Sequence, residues 1–410
     1  MRWSAAKSAC SRPALRAPVS TSGPRLAWFA TSIASWDRCP WGGESPGAPA
    51  ERALLIIQQS RSWYSMSNSA PTNRRPVFVV GCPRSGNTLM GCLLDKHPDF
   101  AVFFEQSTFY SLQTTWSEHV DSGADPRESF ADVALQGLAP WLEQQSCISL
   151  PRDEVLDVLG QVEPCWPDLL DAFMRLQMRK AKPGASRWGD KTPQNVARMA
   201  SIVEAFPQAR IIYVYRDPRH SVVSLSNPSF PHASDDELVN AEVVRHYQRV
   251  YEQQKQQVPP ANLIEVRYEE LLDDPPTQLA RVCSFLQVDF DEAMLGDVDP
   301  EVAQAIGWVH YKGWQKIRPQ PSARTIELRA ETQARLEPLL AQLGYDYRPT
   351  SARTRLRAQA LTLPFRGVNQ LLNALWRVRH PSAGDLFLKD LPSWSDYLRW
   401  VIPHSASTRA

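Results

Sequence analysis

The residues best suited to chemistry form a glycine-containing loop, Gly81-Cys-Pro-Arg-Ser-Gly86-Asn-Thr88. The loop follows the apolar run Pro76–Val80 and precedes the apolar segment 88–95, which is predicted to be a helix. Its spacing is that of a phosphate-binding loop, G-x-x-x-x-G-K-[ST], with Asn87 in place of the lysine. The backbone N–H groups of such a loop, together with the positive end of the following helix, bind anions. The loop is therefore predicted to hold a phosphate group.

The missing lysine argues against ATP as the ligand. A nucleoside triphosphatase uses that lysine to reach the β- and γ-phosphates, and Asn87 carries no charge. Arg84, inside the loop, is the available cation instead. The apolar run that ends at Tyr215 is followed by Arg216 rather than by the aspartate of a Walker B strand. A P-loop nucleotide or small-molecule kinase stays as a disfavoured alternative.

A second candidate anion site follows the apolar run Arg210–Tyr215. Asp217 is a favourable N-cap and Pro218 a favourable first residue of a helix. Arg216 is thus predicted to lie between a strand end and a helix N-terminus, with Ser224 about two helical turns further on. A guanidinium and a hydroxyl can grip one phosphate together. Arg216 alone would as readily pair with Asp217, but beside the first loop it indicates a ligand that is phosphorylated at two positions.

Strand-like and helix-like segments alternate along the chain from residue 76 to residue 345. The predicted strands are Pro76–Val80, Ala101–Phe104, Arg210–Tyr215 and Leu263–Arg267, and the predicted helices are Thr88–Asp95, Pro193–Ala205, Pro218–Leu225, Glu237–Gln256, Pro276–Leu286 and Ile326–Leu343. This alternation predicts an α/β fold, a P-loop-type three-layer sandwich with a central parallel sheet flanked by helices. Ligands of such sheets bind at the carboxyl ends of the strands.

The composition of the 410-residue chain is that of an ordinary soluble protein, with 43% hydrophobic residues, 22% charged residues and a formal net charge of +1. The near-neutral charge gives no reason to expect nucleic acid as a partner. The seven cysteines contain no CxxC pair, so neither a zinc site nor a disulfide framework is expected. No apolar run is long enough to span a membrane. We therefore expect a cytoplasmic protein with reduced thiols.

The two ends of the chain differ from the middle. Residues 1–75 are rich in Ser, Ala, Pro and Arg and are predicted to be a poorly ordered extension, a targeting segment or the product of a start assigned too early. Residues 350–410 are predicted to be a basic helical extension, with nine Lys/Arg against three Asp from residue 351 onward. This extension either touches an anionic membrane or packs on the catalytic domain or a second subunit, and packing is favoured.

The motifs taken together resemble those of the sulfotransferases that use 3′-phosphoadenosine 5′-phosphosulfate (PAPS). Segment 82–89 resembles the 5′-phosphosulfate loop of that family, and segment 215–224 resembles its 3′-phosphate element. The similarity continues through Gly189-Asp-Lys-Thr-Pro193, and it covers roughly residues 76–349, the predicted sulfotransferase domain. The chain is most similar to the tyrosylprotein sulfotransferases and their bacterial relatives. That likeness rests on the order and spacing of Arg84-Ser-Gly-Asn-Thr-Leu-Met90, Leu94-Asp-Lys-His-Pro98 and Glu105.

The resemblance implies a PAPS-dependent enzyme that transfers a sulfuryl group to a hydroxyl acceptor without a metal. It implies that the donor is held by Arg84, Ser85, Gly86, Asn87, Thr88, Arg216, Ser224 and Tyr268. Glu105 matches the general base of the family, and Lys191 matches a lysine near the transferred group. Arg84 and Lys191 are the cations expected to stabilise the leaving oxygen.

Several alternatives stay open at this point. Glu105 can also be a structural carboxylate, and His97 is a rival base for which a helix-capping role is more expected. Only one acid stands at Phe104-Glu105, where the tyrosylprotein branch has two. The acceptor, expected to be bound by loops within 106–190 and 228–260, can be carbohydrate, peptide tyrosine, lipid or a small metabolite. A catalytically inactive PAPS-binding protein is the non-enzymatic alternative.

Overall fold

A five-stranded parallel sheet forms the centre of the computed structural model, which describes residues 74–145, 148–226, 236–297 and 326–379. The strand order is β2-β3-β1-β4-β5, and all four neighbouring pairs are parallel. The strands are β1 Val77–Gly81, β2 Phe100–Phe104, β3 Arg187–Lys191, β4 Arg210–Tyr215 and β5 Leu263–Arg267. The predicted parallel α/β sheet is confirmed.

Helices account for most of the remaining described residues. They are α1 Asn87–Lys96, α2 Gln113–Asp121, α3 Pro126–Gln145, α4 Arg152–Leu159, α5 Trp166–Ala181, α6 Met199–Ala205, α7 Pro218–Leu225, α8 Glu237–Lys255, α9 Tyr268–Asp273, α10 Pro275–Leu286, α11 Ala330–Gln342 and α12 Ala352–Arg379. Short turns of other helix types occupy Thr108–Leu112, Pro193–Arg198, Pro260–Asn262 and Glu292–Leu295.

The sheet is covered by helices on both faces, which gives the three predicted layers. Successive side chains of a strand point to opposite faces. In β1, Phe78 and Val80 enter a large core shared with α5 and α8, whereas Val77 and Val79 enter a smaller core shared with α1 and α10. A strand buried on both faces needs an unbroken apolar run, and this explains why the sequence revealed β1 so clearly.

The sequence missed several elements. Strand β3 was not predicted, because Arg187-Trp-Gly-Asp-Lys191 has neither an apolar run nor an alternating pattern. Of the two segments expected to bind the acceptor, 106–190 contains α2 to α5, which were not predicted, and 228–260 contains α8, which was predicted as Glu237–Gln256. The remaining predicted elements agree to within a few residues, except that Pro193–Ala205 divides into a short turn and α6.

The C-terminal helix α12 packs along α11. Ala358 and Thr362 are buried at this contact, and Arg355 and Arg357 lie 3.5 Å and 3.1 Å from the carboxylates of Glu337 and Glu331. The packing predicted for the start of the C-terminal extension is therefore observed. Within the four described ranges, no helix is both long enough and apolar enough to cross a bilayer. The extension 1–75 and residues 380–410 lie almost wholly outside the described residues.

Lys182 closes the carboxyl end of α1. Its ammonium donates to the backbone oxygens of Asp95, His97 and Phe100 at 2.6, 2.7 and 2.8 Å. The side chain of Asp95 accepts a hydrogen bond of 2.8 Å from the backbone N–H of Val102. Burial raises the pKa of Asp95 to about 6, with Lys182 and the Val102 N–H acting in the opposite direction.

Asp95→Asn should change how stability depends on pH. The folded pKa lies above the ordinary value, so between about pH 4 and pH 6 the folded chain keeps a proton that the unfolded chain has lost. The native chain should therefore lose about 2 kcal/mol relative to the Asn variant as the pH rises from 4 to 7. Urea unfolding of both proteins at each pH measures this difference. An equal difference at both pH values would contradict the expectation.

Candidate active site

All five parallel strands have their carboxyl ends on the same side of the sheet, and each of these ends carries residues predicted to form the site. The register aligns these ends, since Gly81 pairs with Val214, Phe104 with Lys191, and Tyr215 with Arg267. The residues in question are the loop 81–88 after β1, Glu105 after β2, Lys191 at the end of β3, Arg216 after β4 and Tyr268 after β5. The carboxyl ends of the strands therefore bring together candidate residues from the whole length of the domain.

The loop after β1 has the backbone of an anion-binding turn. Gly81 and Gly86 have φ angles of 150° and 98°, and a Cβ atom at Gly86 would overlap the ring of Tyr268. Asn87 is the first residue of α1, and its side-chain amide donates to the backbone oxygen of Cys82 at 2.7 Å. Asn87 thus closes the loop across its base, whereas a lysine there would extend toward a triphosphate.

The loop and helix α7 are joined by two contacts between side chains. The Nε atom of Arg84 donates to the hydroxyl of Ser224 at 2.9 Å, and the hydroxyls of Ser85 and Ser221 lie 3.3 Å apart. Ser221 and Ser224 are three residues apart on α7, so they share one face of that helix. The two predicted anion sites are therefore neighbours that form one continuous polar surface.

Arg216 lies on this surface rather than pairing with its neighbour. Its guanidinium carbon is 4.4 Å from the centre of the Tyr268 ring, and one terminal nitrogen donates to the backbone oxygen of Arg84 at 3.4 Å. The side chain of Asp217 instead binds Arg219, at 2.6 to 3.1 Å, and accepts from the N–H of Arg219 as the predicted N-cap of α7. The alternative in which Arg216 pairs with Asp217 is wrong.

Glu269 supports the backbone beside Arg216, and sequence reasoning gave it no role. One carboxylate oxygen of Glu269 accepts from the backbone N–H of Asp217 at 3.0 Å, and the other accepts from the hydroxyl of Tyr345 at 2.8 Å. Arg267 in turn donates to the Tyr345 hydroxyl at 3.2 Å. The sequence signal available for Glu269 and Tyr345 was that both lie within residues 76–349, over which the chain resembles the family.

Glu105 and Lys191 form an ion pair at the ends of β2 and β3. The side chain of Lys191 is 1% exposed and that of Glu105 is 26% exposed, so the carboxylate is the more accessible group of the pair. The stem of Lys191 packs against Gly91 of α1, and its ammonium lies 5.1 Å from the centre of the Phe104 ring. This packing fixes a positive charge between the carboxylate and the helix that follows the phosphate loop.

His97 lies at the other edge of the sheet, just before β2 begins. Its Nδ1 atom accepts from the backbone N–H of Asp99 at 3.1 Å, which leaves Nε2 to donate to the backbone oxygen of Asp289 at 2.9 Å. Its own backbone N–H donates to Leu94 at the end of α1. These contacts are those of a helix-capping residue, and they place His97 away from the other candidate residues.

Backbone strain is concentrated at the candidate site. Arg84, Glu105 and Ser107 have φ angles of 70°, 55° and 51°, and Gln287 is the only other non-glycine residue with positive φ in the described ranges. Residues held in this left-handed region persist only where their surroundings fix them, and such residues cluster at functional sites. The turn that carries Glu105 must therefore be fixed by other contacts.

Asp190 supplies those contacts from within β3. Its buried carboxylate accepts from the hydroxyls of Thr108 and Thr192 at 2.6 and 2.7 Å and from the amide of Asn195 at 2.8 Å. Thr192 and Asn195 in turn accept from the backbone N–H groups of Ser107 and of residues 109–110. Burial raises the pKa of Asp190, and these hydrogen bonds oppose the rise. This network was not predicted.

The fold and the site define an α/β enzyme of the P-loop type. The sequence matches the Sulfotransferase family over residues 76–292, so the chain belongs to that family and is a sulfotransferase.

Named relatives fall into two groups. The chain is 28% identical over 323 residues to the omega-hydroxy-beta-dihydromenaquinone-9 sulfotransferase Stf3 of Mycobacterium bovis, covering 68% of this chain and 78% of that protein. It is 25% identical to protein-tyrosine sulfotransferase 1 of Danio rerio, covering 66% and 72%. Among solved structures, the sulfotransferase domain of the Synechococcus PCC 7002 olefin synthase is 23% identical with a TM-score of 0.46, covering 68% of this chain and 99% of that one.

Asp190→Asn should loosen the turn that carries Glu105. The amide keeps one acceptor oxygen but brings two donors into a pocket of donors, at a cost of about 1–3 kcal/mol. Hydrogen exchange should become faster in residues 105–110 and stay unchanged in β4 and β5. Asp171→Asn is the matched control, because Asp171 is also a buried carboxylate that holds β3, through the Trp188 indole at 2.8 Å. Faster exchange throughout the sheet in the Asp190 variant would contradict a local role.

Proposed function

We propose that this enzyme transfers a sulfuryl group from PAPS to an acceptor hydroxyl, with Glu105 as general base. The observation that carries the proposal is the junction of the two anion-binding elements through Arg84 and Ser224, beside the ion pair of Glu105 and Lys191. PAPS carries anionic groups at both its 5′ and 3′ positions, and the two elements offer a place for each. A triphosphate would need only one of them, together with a lysine that the loop lacks.

The loop is proposed to hold the 5′-phosphosulfate and the second element the 3′-phosphate. Ser85, Gly86, Asn87 and Thr88 contribute the loop and the start of α1, where N–H groups and the helix dipole favour an anion. Ser224 accepts from Arg84 and keeps its own O–H to donate to a phosphate oxygen.

Arg216 and Tyr268 form the rest of the proposed 3′ side. The Nε atom of Arg216 is buried and has no hydrogen-bond partner among the residues that the structure describes, and a phosphate oxygen would supply one. The Tyr268 ring lies between Gly86 and Arg216, so it links the two halves of the donor site. Its placement favours a role near the nucleotide over one in the core.

The proposed reaction is an in-line displacement at sulfur. The acceptor oxygen forms a bond to sulfur while the bond from sulfur to the bridging phosphate oxygen breaks, and the hydroxyl proton passes to the carboxylate of Glu105. Adenosine 3′,5′-bisphosphate leaves with negative charge on the bridging oxygen. The buried ammonium of Lys191 and the guanidinium of Arg84, held by Ser224, are the proposed stabilisers of that charge, since charges fixed in place need little reorganisation during the reaction.

The exposed fractions of Glu105 and Lys191 suit their proposed roles as base and as stabiliser of the leaving oxygen. A general base must come within hydrogen-bond reach of the acceptor, and the partly exposed Glu105 can do so. Lys191 is buried and held by Phe104 and Gly91, so it can act only on groups that enter from the donor side. A catalytically inactive PAPS-binding protein would have no need of a strained carboxylate at this position.

The acceptor is proposed to be a hydroxyl, without restriction to one chemical class. The names of the relatives include protein tyrosine and an omega-hydroxylated dihydromenaquinone as acceptors. The single acid at Glu105 differs from the two consecutive acids expected for the tyrosylprotein branch. Labelled PAPS offered with tyrosine peptides, hydroxylated lipids and sugars in parallel identifies the class directly.

Arg216→Ala should weaken binding of adenosine 3′,5′-bisphosphate about a hundredfold, because a charge-assisted hydrogen bond contributes up to about 3 kcal/mol. Arg84→Ala should have a similar effect. Titration calorimetry of the native chain and of both variants measures these losses.

Arg210→Ala is the matched control, because Arg210 begins the same strand whose end precedes Arg216 and donates to a backbone oxygen at the far edge of the sheet. Its affinity for the bisphosphate should be that of the native chain. Binding of ATP with Mg²⁺ but not of the bisphosphate would contradict the proposed donor.

Glu105→Gln should keep bisphosphate affinity within about twofold and lower turnover by about 10²- to 10⁴-fold, the usual range for a general base. Release of labelled bisphosphate from PAPS in the presence of an acceptor measures turnover. Glu204→Gln, on the exposed face of α6, is the control and should leave both quantities unchanged. Native turnover in the Glu105 variant would mean that another group removes the proton.

A further inference from the structure

One face of α12 points away from the domain and is apolar. The face that packs on α11 contains the buried residues Ala358 and Thr362. On the opposite side, six exposed positions recur at intervals of three or four residues, which is the spacing of one helical face. They are Leu356, Ala360, Leu363, Gly367, Leu371 and Ala374, and we refer to them as the outer stripe.

The leucines of the outer stripe are unusually exposed. Leu356, Leu363 and Leu371 are 68%, 60% and 59% exposed, and they belong to the short set of large apolar residues that are exposed in the described part of the chain. A row of apolar side chains over several helical turns marks an interaction surface, whereas scattered single residues would need no explanation. The stripe runs from residue 356 to residue 374 of α12, a length of about 28 Å at 1.5 Å per residue, so it is long and narrow.

The charges of α12 indicate what lies against the stripe. The helix contains six arginines and no acidic residue. Two of these arginines, Arg355 and Arg357, face acidic residues of α11, while Arg353, at the start of the helix, and Arg366, near its middle, are exposed. A second copy of the chain packed stripe against stripe would bring arginines close to arginines. An anionic surface would attract all of them.

We propose that the outer stripe of α12 rests on an anionic lipid bilayer. A helix with an apolar face and basic flanks lies in the plane of the membrane, with its apolar side chains at the boundary between headgroups and acyl chains. Since α12 does not qualify as a membrane-spanning helix, this orientation is the one that suits it. The proposal concerns attachment of the enzyme and does not depend on the proposed donor or base.

Flotation of the full chain with vesicles tests the proposal. The native protein should bind vesicles of phosphatidylcholine and phosphatidylserine in equal parts, bind pure phosphatidylcholine vesicles more weakly, and lose affinity as salt is added. Leu363→Glu should weaken binding about tenfold or more, because it removes a leucine that would be buried in the bilayer and places a negative charge against anionic lipid.

Leu361→Glu is the matched control. Leu361 is also exposed, at 54%, but it lies about 200° around the helix from Leu363, next to the packed face. This variant carries the same change in charge and should bind vesicles within about twofold of the native chain. Both variants should keep the native circular-dichroism spectrum and melting temperature, which shows that they are folded.

Three results would overturn the proposal. The first is no binding of the native chain to the anionic vesicles. The second is an equal loss in the Leu361 and Leu363 variants, which would mean that net charge rather than the stripe decides binding. The third is a lipid-free dimer that Leu363→Glu converts to a monomer while Leu361→Glu does not, which would assign the stripe to a second copy of the chain.

Discussion

The pairing of β1 with β4 is the constraint on which the site depends. Each strand leads into one of the two proposed anion-binding elements, and neither element alone would hold a ligand with two separate anions. The register sets Gly81 opposite Val214, and a Cβ atom at Gly81 would overlap the backbone oxygen of Val214. Glycine therefore lets the chain turn at the end of β1 without separating the strands. That close approach allows Arg84 and Ser85 to reach the serines of α7.

Strand β3 fixes the candidate base from both faces of the sheet. Asp190 and Lys191 are consecutive residues, so their side chains point to opposite faces. Lys191 holds the carboxylate of Glu105, while Asp190 holds the backbone of the turn that follows it. Burying two charged residues in a central strand costs stability unless each is paired or hydrogen-bonded. Both requirements are met here, and the same contacts keep Glu105 in its left-handed conformation.

The parts of the fold that could be predicted from the sequence are those with a local sequence pattern. The buried strands β1 and β4 are apolar runs, and the loop after β1 has the spacing of a phosphate-binding loop. Strand β3 has no such signal, because Asp190 and Lys191 are polar residues that support the candidate site. Gly189 interrupts the pattern further, and it lies where a Cβ atom would meet the backbone of Val77 at 3.1 Å.

Long-range supports were beyond the reach of local patterns. Glu269 binds the backbone of Asp217, 52 residues earlier in the chain, and Asp190 binds Thr108, 82 residues earlier. No spacing rule connects such pairs, since the intervening helices decide where the two segments meet. The roles of the candidate residues were suggested by family resemblance. Their convergence at one edge follows from the parallel sheet.

The order of the strands arranges the groups of the proposed reaction in a row. From the edge inward, β2 provides Glu105, β3 provides Lys191, β1 provides the phosphate loop and β4 provides Arg216. Neighbouring strands lie about 4.8 Å apart, so the row from β2 to β4 extends over about 14 Å. In the proposed reaction, acceptor, sulfur, bridging oxygen and nucleotide follow the same order. Because β2 is an edge strand, the proposed acceptor side lies at the margin of the sheet and the proposed donor site lies at its centre.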